Sequence, residues 1–199
     1  LSLLSKQFKK LNFVFKINQI DNINKAKKNT INMINIKFNH KKIYADISSK
    51  SNKYIKDSFD IALKILKNNK NNCILINGPI SKKTFLKKKY LGITEYLARK
   101  TNIVNETMLI YNDKLSVTPL TTHIPLKYVS KKITIEKIQK TTLNIEQFYR
   151  KFFKKKVRIA VLGLNPHCET IDKFSEEDKI IKPSIRILKN KGININGPF

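Results

Sequence analysis

A chain of 199 residues can form one good core or two small lobes, and 41% hydrophobic content excludes wholesale disorder. No apolar run approaches the roughly 20 residues that cross a bilayer as a helix, so a soluble protein is expected, away from membranes. The formal charge of +27 points toward polyanions, yet only four of the 41 basic residues are Arg, and the lysines are spread evenly among Asn and Ile, which reads as solvated faces and not as a specific nucleic-acid surface.

In chain order, Leu4, Phe8 and Leu11 fall in helical register over residues 1–11, and Phe13-Val14-Phe15 follows as a strand. Residues 18–32 are rich in Asn and Lys and read as a surface loop. Ile34, Ile36 and Phe38 alternate with polar residues as an edge strand does, and His40 closes it as an exposed residue without a role. From Asn52 to Asn68 the apolar spacing of Ile55, Phe59, Ala62, Leu63 and Leu66 predicts an amphipathic helix, broken at Asn71-Asn72. Residues 73–76 read as a buried strand containing Cys73 as a small hydrophobe, and Gly78-Pro79-Ile80-Ser81-Lys82 as a strand-to-loop turn.

A helix is expected over 94–100, then a strand pair at 108–110 and 115–120 around Asn112-Asp113. The longest helix runs from 134 to 153 with Thr134 as its N-cap, a strand covers 157–162, and a last helix spans about 176–191 with Gly192 just past its end. Strands alternating with helices define an α/β sandwich with a largely parallel sheet. Two cysteines, Cys73 and Cys168, with no CxxC spacing fit a reducing cytoplasm, and Cys168 reads as packing and not as a ligand.

In an open α/β sheet the ligand lies off the carboxyl ends of the strands. Three segments leave such ends carrying polar groups: residues 78–82, 121–126 and 163–169. Two of the three histidines, His123 and His167, sit in them beside a proline, and two neutral imidazoles held that way begin a divalent-metal site. Catalytic zinc takes three protein ligands, so a third donor (Asp, Glu, another chain's side chain, or a residue outside this chain) is still required. The chain has no P-loop, GxGxxG, GxSxG or HExxH, so an ordinary dinucleotide fold has no support from motifs.

Taken together, Gly78-Pro79-Ile80-Ser81-Lys82, Gly92-Ile93-Thr94-Glu95, Thr121-Thr122-His123-Ile124-Pro125-Leu126 and Gly163-Leu164-Asn165-Pro166-His167 resemble the 4-hydroxythreonine-4-phosphate dehydrogenase family of pyridoxal phosphate biosynthesis in order and approximate spacing. Ile180-Ile181-Lys182-Pro183 and Gly192-Ile193-Asn194-Ile195-Asn196-Gly197-Pro198 extend the likeness, which runs through about 54–199. The resemblance implies a three-layer α/β/α fold like that of the isocitrate and isopropylmalate dehydrogenases, and a homodimer with a shared active site. It implies NAD-dependent oxidation of 4-phosphooxy-L-threonine at its hydroxyl, then loss of carbon dioxide to give 3-amino-2-oxopropyl phosphate. His123 and His167 match the family's metal-binding histidines, for Zn, Mg, Mn or Co; Thr94 matches a substrate contact, and Lys82 a phosphate or structural contact.

Ile93 stands where the family has a substrate-binding histidine, and the glycine that usually follows the second metal histidine's neighbour is missing from His167-Cys168-Glu169. By the same resemblance residues 1–53 are a partial N-terminal lobe segment and 54–199 a central α/β portion, truncated at both ends. The family's third metal histidine then falls beyond the last residue, and the chain alone is expected to be inactive. Two other readings stand beside this one: a related dehydrogenase for another phosphorylated hydroxy acid, and a non-catalytic basic module on the same fold.

Overall fold

The computed structural model describes residues 1–69, 73–87, 89–104, 106–168 and 174–199. They form an α/β structure in two compact units, Leu1–Tyr96 and Leu97–Phe199, with parallel strand pairs in each. The Asn71-Asn72 break and Glu169 lie outside the described residues.

In the first unit, helix α1 (Ser2–Lys10) is followed by Phe13 and Phe15, whose rings pack with Phe8 at 5.3–6.3 Å while Val14 is 95% exposed. The expected strand at 13–15 is therefore not one: Phe13 and Phe15 serve an aromatic cluster, and among the described residues the segment has no ladder partner. The Asn-rich stretch 18–32, expected as a loop, instead contains most of β1 (Ile17–Ile20) and part of β2 (Ile31–Ile34), paired in parallel. The asparagines are the reason. Asn18 and Asn32 are cross-strand partners, the Asn18 amide donates to Asn32 Oδ1 at 2.8 Å, and Asn32 also bonds the main chain of Lys27 in the connection. Pairing stops at Ile34, so the expected edge strand through Phe38 is cut short; Phe38 packs on Tyr54, and His40 is half-buried and not exposed.

Helix α2 (Asn52–Asn68) has the expected bounds and buries Phe59 against Phe85 and Tyr96, with ring centroids 6.1 and 5.5 Å away. Lys53–Asp57 and Lys56–Asp60 pairs line its outer face, where such pairs add little stability. Residues 73–76 correct another expectation: Cys73 and Leu75 are half-buried, but Ile74 and Ile76 are 78% and 89% exposed. An apolar run becomes a buried strand only with neighbours on both sides, and among the described residues no strand pairs with it. Helix α3 (Ile93–Lys100) begins one residue earlier than expected and crosses the division between the units.

In the second unit, the expected strand pair is reduced to one antiparallel bridge, Ile110 with Val117, around a turn in which Asn112 Oδ1 accepts the Lys114 N–H. A short helix α4 (Val129–Lys132) precedes α5 (Ile135–Phe153), which Thr134 caps by accepting the Lys137 N–H at 3.2 Å. Strands β3 (Ile159–Ala160) and β4 (Ile195–Asn196) are parallel, and their ladder continues through Val161 N to Asn196 O, Phe199 N to Val161 O and Gly163 N to Phe199 O. Between them one wide helical turn (Glu177–Ile181) leads into α6 (Lys182–Asn190), and Gly192 ends it at φ +78°. Ile133, Ile138, Ile181, Ile185, Leu188 and Ile195 form the core.

Candidate metal and substrate site

Leu120 and Leu164 both pack against that core, and each stands three residues before a histidine. The segments carrying His123 and His167 thus leave one anchored platform. Both histidines take up the left-handed backbone region, at φ 53° and 58°, a conformation in which His is enriched over bulkier side chains. Both are exposed, and among the described residues neither ring makes a hydrogen bond to protein.

The 163–167 segment is held from beneath. Glu177, fully buried, accepts the Leu164 and Asn165 backbone N–H groups on Oε1 at 2.8 Å each. Its Oε2 accepts the Asn165 side-chain amide and the Ser175 hydroxyl, each at 3.0 Å. Burial alone would raise this carboxyl's pKa; the hydrogen bonds from Asn165, from Leu164 and from its own backbone outweigh that and hold it down at about 2. Gly163 is needed beneath the turn, because a β-carbon there would overlap Cys168 Sγ and sit 3.4 Å from Glu177 Oε1. Cys168, at φ 56°, donates its N–H to Asn165 O and closes the turn around His167.

Glu177 went unread in the sequence. Ser175 signals a helix start and accepts the Asp178 N–H, and the acidic residues after it resemble an ordinary first turn. Nothing in that pattern says that one of them turns inward.

Lys82 and Thr94 belong to the first unit. Lys82 opens a single wide turn (Lys82–Leu86), exposed, with Ser81 Oγ capping the Thr84 N–H at 3.3 Å and Leu86 buried as the anchor. Thr94 is the second residue of α3 and half-buried, next to Ile93. Gly92 is buried there, and a β-carbon on it would come within 2.9 Å of Glu95 Oε2, an oxygen that is itself buried with no protein partner among the described residues.

Among the described residues no three His, Cys, Asp or Glu side chains are grouped to hold a metal ion. The two imidazoles fit a metal in kind, being exposed and without a protein hydrogen bond among the described residues, and supply part of a donor set.

Solved structures carry the same α/β fold. The crystal structure of 4-hydroxythreonine-4-phosphate dehydrogenase from Klebsiella pneumoniae superposes with a TM-score of 0.82 over 99% of this chain and 63% of that one, at 24% identity. A putative enzyme of the same name from Salmonella typhimurium gives 0.76 at 23% identity, covering 100% of this chain and 63% of that one. The family model described as pyridoxal phosphate biosynthetic protein PdxA matches residues 2–199, and the chain belongs to that family. A 4-hydroxythreonine-4-phosphate dehydrogenase from Sulfurihydrogenibium sp. (strain YO3AOP1) is 41% identical over 129 residues, 63% of this chain and 40% of the relative. A D-threonate 4-phosphate dehydrogenase from Pectobacterium atrosepticum is 36% identical over 110 residues, 55% of this chain and 34% of the relative. The matched region thus spans well under half the length of these curated relatives.

Proposed function

We propose that this chain is part of an NAD- and metal-dependent dehydrogenase that oxidises 4-phosphooxy-L-threonine and releases 3-amino-2-oxopropyl phosphate after decarboxylation, in pyridoxal 5'-phosphate biosynthesis. The observation that carries the reading is the shared base of the two histidines: Leu120 and Leu164 seat both segments on one core. Family membership and the relatives named 4-hydroxythreonine-4-phosphate dehydrogenase support the reaction class.

On this reading His123 and His167 hold a divalent cation (Zn, Mg, Mn or Co), with the third ligand supplied from outside the described residues. When bound, the cation acts as a Lewis acid that lowers the pKa of the substrate hydroxyl and favours the charge that develops on oxygen. The chain's own residues bind and orient. By the family resemblance the imidazoles hold the cation, Thr94 is a substrate contact, and Lys82 is a phosphate or structural contact. The active enzyme is a cytoplasmic homodimer with a shared site, residues 1–53 are part of an N-terminal lobe, and 54–199 carry the histidine segments.

A second reading, another phosphorylated hydroxy acid as substrate, is favoured by Ile93, an apolar residue where the family has a histidine, and by the relative named for D-threonate 4-phosphate. Following NADH absorbance with the full-length protein that contains this chain, and each phosphorylated substrate, tests both. Turnover of 4-phosphooxy-L-threonine supports the first, turnover of only the threonate supports the second, and turnover of neither with metal and NAD present rejects both.

A further inference from the structure

The reading above leaves one buried charge without a task. Glu177 has no exposed surface, and among the described residues no cation pairs with it. Its neighbours along the same helical stretch, Ile181, Ile185 and Leu188, are apolar core residues, so an apolar side chain would pack here as well. Burying a carboxylate costs several kcal/mol unless hydrogen bonds replace its water. Here they do, and three of the four come from the segment that carries His167: Leu164 N, Asn165 N and the Asn165 side-chain amide. Two successive backbone N–H groups converge on the single oxygen Oε1, which fixes the turn where the β3 ladder ends. His167 follows two residues later on a left-handed backbone that a loose loop would leave for ordinary conformations.

We propose that Glu177 is a positioning residue, which clamps the turn at Leu164 and Asn165 so that the His167 imidazole is presented for ligation. What the imidazole ligates rests on the function proposed above; the clamp itself does not. Groups hydrogen-bonded directly to a metal ligand typically cost 10- to 100-fold in metal affinity when replaced; Glu177 acts one step further out, through the backbone before His167, so the lower end of that range is expected.

The test uses the full-length protein that contains this chain, with Glu177→Gln, which keeps the shape, and Glu177→Met, which fills the space without charge. The first measurement is amide hydrogen exchange without metal at Leu164 and Asn165, with Ile185 and Leu188 as internal references. The second is Zn2+ affinity by calorimetry, alongside His167→Ala. The clamp predicts exchange at least tenfold faster at Leu164 and Asn165 than at the references in both variants, and Zn2+ binding weakened about tenfold or more. Equal acceleration at all four amides means a merely structural role and overturns the proposal. So does unchanged Zn2+ affinity in the Glu177 variants when His167→Ala weakens it. If wild type and His167→Ala bind Zn2+ alike, the proposed function fails and the exchange result alone decides the clamp. Should neither Glu177 variant fold, Ser175→Ala removes one bond to the carboxylate and must loosen the same two amides selectively, or the clamp is rejected.

Discussion

Acid should weaken the second unit through the Glu177 carboxylate, and Glu177→Gln isolates the effect. Its pKa falls from the ordinary 4.5 to about 2 in the folded chain. A carboxyl depressed on folding contributes stability that is fully present above its unfolded pKa and is lost as pH falls through the folded one. At about 1.4 kcal/mol per pH unit, the shift is worth up to about 3 kcal/mol at neutral pH, trimmed by whatever solvent reaches the exposed turn above it. Self-repulsion from the large positive charge also grows in acid, but equally in wild type and variant. The assay is urea unfolding of both proteins from pH 7 to pH 2. The wild-type advantage should be flat down to about pH 5, then shrink by roughly 2–3 kcal/mol by pH 2. An advantage that does not change with pH would refute the assignment of a charged, hydrogen-bonded carboxylate at this position.

Two further substitutions check the packing. Leu188→Ala, at the fully buried centre of the core, should cost about 2–5 kcal/mol in urea unfolding, whereas Leu162→Ala, at a side chain 71% exposed, should stay within about 0.5 kcal/mol. Gly197→Ala should lower the melting temperature by several degrees, because φ is +132° and the new methyl would overlap the Val161 carbonyl; strain of that kind costs roughly 1–3 kcal/mol. Gly78→Ala, in open space, is the matching control and should melt as wild type does.

The helices were legible because a helix satisfies its own backbone. The periodicity at 52–68 and the Thr134 cap needed nothing from elsewhere in the chain, and α2 and α5 match their expected bounds. Strands depend on a partner that composition does not name. The Phe13 and Ile74 segments are apolar runs as strands can be, yet among the described residues they find no ladder, while Asn18 and Asn32 make one from residues that ordinarily signal loops. At the candidate site, the two histidine motifs stood out through their prolines and the apolar runs before them. Their common footing on Leu120 and Leu164 required the tertiary core, and so did Glu177, whose inward turn is a matter of where the 163–167 segment lies and not of local sequence.

The central claim is that His123 and His167 together bind a divalent cation, and a thermal-shift titration with Zn2+ of the full-length protein that contains this chain tests it most directly. At a hundredfold excess over Kd, binding adds about 2.7 kcal/mol, which raises Tm by several degrees in a protein longer than this chain. The account predicts that rise in the wild type and its loss in both His123→Ala and His167→Ala. A wild type whose Tm does not move with Zn2+, Mg2+, Mn2+ or Co2+, or a shift that survives either substitution, would contradict it.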